Sequence, residues 1–218
     1  MAEKWFSPIP RRHVPRRSLP MEPMQTEERR LTVERNVPVD ALYMAFHMCS
    51  RNHPDYYAFD MLSDLLSSGR SSRFVQHLVQ DKQIFNSIDA YISGSIDNGL
   101  FHIVGKPAPE KTLEEAEKAI WEELALLTEG SIDENELEKV KNRYESEQIF
   151  NNLNYLNVAT NLAYFELIGK AEDINTEVEK YRSVTQEQIK RAAKQTFLPE
   201  NCSVLYYKAA AKGASHTP

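Results

Sequence analysis

Residues 62–91 read LSDLLSSGRSSRFVQHLVQDKQIFNSIDAY, and this stretch decides the fold. Phe59, Leu62 and Leu66 recur at helical spacing, and Met61 and Leu65 widen the apolar stripe. Gly69 suits a left-handed stop after that helix, because no Cβ opposes a positive φ. Ser71 or Ser72 is placed to cap a second short helix carrying Phe74, His77 and Leu78 on one side. Beyond Lys82 the period changes to two. Ile84, Ile88, Ala90 and Ile92 then face one way with Asn86 among them, and Phe85, Ser87, Asp89 and Tyr91 face the other.

Outward from this stretch, Glu28–Asn36 alternates Leu31 and Val33 with charged neighbours, as a half-exposed strand does. Pro38 and Asp40 punctuate the chain, and Ala41–Cys49 reads as a more apolar strand. His53 opens the following helix, just before Pro54. Asp97-Asn98-Gly99 predicts a hairpin turn, with Leu100–Gly105 as the return strand. Pro107 and Pro109 then break the chain. Thr112 and Glu115 form a capping box for a helix with Leu113, Ala116, Ile120, Leu124 and Leu127 on one face, ended by Gly130. Ser131 and Glu134 suggest a second capping box. Asn151, Asn152 and Asn154 mark a bend before helix resumes and stops at Gly169. Thr185 and Gln188 cap the last helix, and Asn201–Lys208 is the closing strand.

Composition narrows the function classes. A chain of 218 residues, 41% hydrophobic, can bury a core. Net charge −6 gives no global reason to expect nucleic acid. No apolar run is long enough to span a membrane, and no secretory h-region follows Met1. Cys49 and Cys202 sit far apart in strand-like settings, which favours buried free thiols over a disulfide framework. Charge is uneven: Glu110–Arg182 carries 18 acidic against 8 basic residues. Glu-laced helix faces of this kind are solvated surface or an acidic docking face. Residues 1–26 are rich in Pro and Arg and lack periodicity, so they read as an extended linker. Its basic run Arg11, Arg12, Arg16 and Arg17 reads as a nucleic-acid or membrane arm or, in the favoured reading, as part of a linker lying across the acidic body.

The order of these elements resembles a half-molecule of the M16 zinc peptidases, the pitrilysin, insulinase and mitochondrial processing peptidase group. The resemblance rests on Leu65, Leu66, Gly69, Ser72, Arg73 and Phe74, followed by Ser87, Ala90 and Tyr91. Leu137–Lys141 and Val184-Thr185 with Ile189 and Ala192 extend it over nearly the whole chain. It implies an α+β fold, a mostly antiparallel sheet with helices packed on one face. It also implies that residues 1–26 are the connector from a preceding half, where Glu3-Lys4-Trp5-Phe6 ends the last helix of that half, and that residues 27–218 are the C-terminal-type domain.

The family's catalytic half carries His-x-x-Glu-His, which binds zinc and activates water. That motif is missing here in either direction, and the histidines at 13, 47, 53, 77, 102 and 216 contain no pair at its spacing. His47 and His53, five residues apart in between, lack a neighbouring Glu. GRSSR has no nucleophile-elbow pattern, although a Ser72–His77 hydrolytic pair remains open. No P-loop or dinucleotide fingerprint occurs.

The resemblance therefore implies no catalytic and no metal residues in this chain, with zinc in a partner half. Many C-terminal halves of the family place an Arg and, seven residues on, a Tyr against the substrate. Aligned here, those positions hold Val79 and Asn86, which do not match. Some members divide such features between two chains. The expected partners are thus an N-terminal zinc-bearing half, a second chain of the family and peptide substrates. The alternative is a structural subunit resembling respiratory-complex core proteins, which would bind partners but no peptide.

Overall fold

The computed structural model describes residues 1–13, 20 and 22–210. The linker residues 14–19 and 21, with Arg16 and Arg17, and the tail with His216 lie outside the described residues. A five-stranded sheet is built from β1 (Arg29–Arg35), β2 (Ala41–Ser50), β3 (Phe85–Ser93), β4 (Asn98–Pro107) and β5 (Cys202–Ala209) in the order β1-β5-β2-β4-β3. Only the β1–β5 pair is parallel; the other three are antiparallel. The expected α+β architecture is thus the one observed.

Helices cover one face of the sheet. Ahead of β1 lies a short helix, α1 (Ala2–Phe6); the others are α2 (Tyr56–Ser67), α3 (Leu113–Glu129), α4 (Glu134–Asn151), α5 (Tyr155–Ile168), α6 (Glu177–Arg182) and α7 (Gln186–Thr196). The period-two pattern of β2 sends Leu42, Met44, Phe46 and Met48 into the core and Tyr43 outward. From the other side Leu62, Leu66, Ile120, Leu124 and Ile189 meet them, all at 1% exposure or less. Thr112 with Glu115 and Thr185 with Gln188 form the capping boxes expected of them. Gly69 takes φ +89° after α2, the left-handed stop its place called for.

Local details correct five expectations. The Asn98-Gly99 pair is no turn: the strands are joined by Gly94–Asp97, and Gly99 lies inside β4. A Cβ there would sit 2.3 Å from the Ser93 carbonyl oxygen, so glycine is needed for close approach and not for φ. Pro107 is still within β4 as its last residue, so the return strand runs past the expected end at Gly105. Asp133, not Ser131, caps α4, its side chain accepting from the Asn135 amide at 3.3 Å. His53 precedes the helix, which begins at Tyr56. The second short helix, Phe74–Asp81, is π-helical and starts after Arg73, because the Ser72 hydroxyl turns back to donate to the Gly69 carbonyl at 2.7 Å.

The most consequential correction concerns β3. Phe85 pairs with Pro107 and Ser87 with Lys106, so Asn86 is the extra residue of a β-bulge. The bulge exchanges the expected sides of two residues and leaves the rest of the alternation intact: Phe85 joins Ile88 and Ala90 inside, and Asn86 is exposed. Packing explains it. The Phe85 ring fills the space over Gly105, where a Cβ would lie 2.3 Å from a ring carbon.

A polar network sits between α2, α4 and α6. The Tyr181 hydroxyl donates to Asp60 at 2.5 Å and its ring stacks on Tyr144. Burial, with the Asp60 charge one turn away, pushes the Asp64 carboxyl from 3.8 up to about 6; the bond from Ser68 and the charge of Arg143 oppose this, and Glu147 adds to it. A raised carboxyl favours the folded state while protonated, and that contribution is lost as pH rises from about 4 through 6. Asp64→Asn is therefore expected to stabilise the protein by about 1–3 kcal/mol at pH 7 and by little near pH 4. Thermal melts of both proteins at the two pH values check this; an equal gain at both would refute it.

Candidate functional site

The π-helical segment delivers the chain to β3 through Lys82-Gln83-Ile84. The Lys82 amide donates to the His77 carbonyl at 3.0 Å and the Ile84 amide to the Leu78 carbonyl at 2.9 Å. Gln83 has φ +52°, the only positive value at a non-glycine among the described residues. A bulky side chain in that region costs about 1–3 kcal/mol, and the two flanking hydrogen bonds hold it there. On the other side the Ala108 amide donates to the Ile84 carbonyl at 2.9 Å, which brings the segment after β4 alongside.

Between these segments lies an open hollow of about 590 Å³. Val79, Lys82, Gln83 and Asn86 line it together with Glu110 and Lys111. The two positions singled out in the sequence, Val79 and Asn86, thus line the same hollow. Val79 is half-buried and packs against the core, whereas the bulge turns Asn86 to solvent. Lys82 also approaches Glu122 of α3, at 3.6 Å. Ammonium, carboxylate and amide groups together can bind the alternating donors and acceptors of a peptide backbone. The lining holds no His, Cys or Ser, and so no Ser–His or Cys–His pair.

The remaining sequence candidates are engaged elsewhere. Ser72 is 1% exposed and bonded to Gly69, while His77 Nδ1 lies 2.7 Å from the buried Glu123 carboxylate on α3. That contact ties the π-helical segment to α3 and leaves no Ser–His hydrolytic arrangement. His47 Nε2 approaches Glu22 at 3.7 Å, and His53 Nδ1 accepts from the Asp55 amide at 3.1 Å. Among the described residues, no three His, Cys, Asp or Glu side chains are grouped to hold a metal. The described residues therefore do not fit a catalytic zinc, which needs three converging protein ligands. Cys202 is buried and Cys49 half-buried, both free thiols; burial pushes Cys49 up to about 11 and Cys202 to about 12. No helix among the described residues is long and apolar enough to cross a membrane.

Sequence reasoning missed Lys82, Gln83, Glu110 and Lys111 as neighbours of Val79 and Asn86. It also missed the buried ion pair between Arg51, just past β2, and Glu177 of α6. Neither had a signal: a lone Lys or Arg beside a turn looks like any solvated charge until the fold brings distant segments together.

Comparison with known proteins agrees with the fold. The Bacillus subtilis protein named uncharacterized zinc protease YmxG is 24% identical over 197 residues, which are 89% of this chain and 47% of that protein. The crystal structure of a protease from Helicobacter pylori superposes with a TM-score of 0.85 at 22% identity, over 94% of this chain and 51% of that one. A chain of complex III from Candida albicans superposes with a TM-score of 0.68 at 19% identity, over 82% of this chain and 45% of that one. The chain thus spans about half the length of the relatives it matches. Residues 1–144 match the sequence profile of the peptidase M16 inactive domain, and the chain belongs to that family.

Proposed function

We propose that this chain is the non-catalytic half of a zinc metallopeptidase, docking to a zinc-bearing half and forming one wall of a chamber for peptide substrates. Residues 1–26 serve as the connector to that half and residues 27–218 as the domain. The observation that carries this reading is the hollow at β3. Val79 and Asn86 stand together on its wall, yet Val79 can donate no side-chain hydrogen bond and Asn86 offers only a short amide. The surface can face substrate but holds neither the arginine nor the tyrosine that the family resemblance places at positions 79 and 86. Zinc chemistry belongs to the other half, where a metal lowers the pKa of bound water. This chain's own part is to bind and orient the peptide and to exclude water. A second chain of the family would supply the missing donors.

The test mixes this chain with a separately expressed zinc-bearing half and follows a fluorescent peptide, with metal analysis of each component. The expected result is no stoichiometric tight zinc and no cleavage for the chain alone, and peptide binding once the halves combine. One tightly held zinc per chain together with cleavage would sink the proposal. Assembly of the halves without peptide binding would favour instead the structural subunit resembling respiratory-complex core proteins.

A further inference from the structure

A second hollow, of about 540 Å³, lies where the π-helical segment and the loop before it meet α3 and α4. Glu123 of α3 stands in its wall and is only 1% exposed. Glu123 Oε1 lies 2.7 Å from His77 Nδ1. Its Oε2 is, among the described residues, the one buried side-chain oxygen or nitrogen without a hydrogen-bond partner. A buried carboxylate left short of donors gives up hydration that nothing returns. The cations of the same lining are engaged elsewhere. Arg73 donates to both oxygens of Glu136, each at 2.9 Å, and Lys139 donates to the carbonyl and hydroxyl oxygens of Ser71, at 3.1 and 2.9 Å. Asp133 is occupied in capping α4. With His77 neutral, the lining holds three carboxylates against two cations, an excess of one negative charge.

We propose that this hollow binds an alkylammonium group, the end of a lysine side chain or of a free primary amine. A carboxylate only accepts, so His77 Nδ1 carries the ring proton and Nε2 of the neutral ring is left as an acceptor. Glu123 Oε2 and His77 Nε2 then offer two acceptors to an ammonium, which has three donors on one nitrogen. A guanidinium suits the site less, because its planar fork pairs with both oxygens of one carboxylate and Oε1 is already taken. Leu126, 57% exposed on α3, adds apolar surface to the lining for a methylene stem. Glu123 Oε2 is itself covered, so the neighbouring His77 ring, 43% exposed, gives way as the donor enters. This hollow shares no lining residue with the one at Val79 and Asn86, so its failure as a site would leave the peptidase reading untouched.

The test titrates the 218-residue chain with N-acetyl-lysine-N-methylamide or with n-pentylamine at about pH 8, where an ordinary imidazole is neutral, and follows the His77 ring and backbone amides by NMR. We expect saturable shifts centred on His77, with Kd on the order of millimolar and weaker binding in high salt. The norleucine counterpart, with the same stem and no ammonium, and the arginine counterpart should each bind about 10-fold more weakly. E123Q keeps the shape of the side chain, removes its charge and should weaken binding about 10-fold. Should E123Q disturb α3, two variants at exposed positions carry the test. Q76K brings a cation into the hollow and should weaken binding about 10-fold, and L126S removes stem contact and should weaken it about threefold. Binding of the lysine amide names a protein or peptide lysine as the occupant, and binding of n-pentylamine alone names a free amine; either upholds the proposal. No saturable shift at His77 by about 50 mM amine would overturn it, for the hollow would then hold water alone. Equal binding of the norleucine counterpart, tighter binding of the arginine counterpart, or indifference to both Q76K and L126S would overturn it as well.

Discussion

Arg51→Ala is expected to destabilise the protein by about 3–5 kcal/mol in equilibrium urea unfolding, the cost of leaving one member of a buried ion pair alone. The Arg51 guanidinium donates to the Glu177 carboxylate, and both side chains are only 8% exposed. The Tyr57 hydroxyl donates to the same carboxylate at 3.2 Å, and the guanidinium lies 4.5 Å from the centre of the Tyr56 ring. Lys180 reaches Glu177 only at 3.8 Å and is more exposed, so it compensates poorly for a lost arginine. The pair joins the end of β2 to α6 across 126 residues of sequence, and the Tyr57 and Tyr181 rings pack edge-on beside it at 5.0 Å. Removing both charges, as in Arg51→Met with Glu177→Met, should cost less than Arg51→Ala, because no buried carboxylate is then left without its partner. A loss below about 1 kcal/mol for Arg51→Ala would show that water reaches Glu177 and that the pair is a surface contact.

The second large effect concerns activity and depends on the proposed function. In a complete zinc-bearing chain, Val79→Arg with Asn86→Tyr should raise peptide cleavage measured without a second chain. Each donor correctly aimed at developing negative charge contributes about 10²–10³ in rate. The structure makes the substitution gentler on folding than the sequence suggests. If Asn86 shared the Ile84/Ile88 face, a tyrosine there would have to be forced into packed surroundings at about 1–3 kcal/mol. The bulge instead turns Asn86 to solvent at the hollow. Val79 packs partly on the core, and an arginine stem can keep that apolar contact while its head enters the hollow. The measurement is kcat/KM of the double variant against the parent chain. No gain, with zinc bound and the fold intact, would mean that this wall does not face the reacting peptide bond.

Much of the architecture was legible in the sequence because local chemistry specifies it. Capping boxes at Thr112 and Thr185, the left-handed stop at Gly69, the apolar stripes of α2 and α3 and the alternation in β2 each follow from groups within a few residues of one another. Together with the order of motifs around Gly69, they determined the α+β class, the mostly antiparallel sheet and the family. What only the tertiary structure decided depends on groups far apart in the chain. Asn86 faces the hollow because Phe85 must fill the space over Gly105, twenty residues away, and strand alternation cannot foresee a bulge set by cross-strand packing. Gly99 is required by the approach of the Ser93 carbonyl, although its pairing with Asn98 looks like a turn. The Arg51–Glu177 pair and the company of Val79 with Glu110 and Lys111 arise only when helices and strands close on one another. Burial then turns a charge that looks like any other surface charge into one the fold depends on.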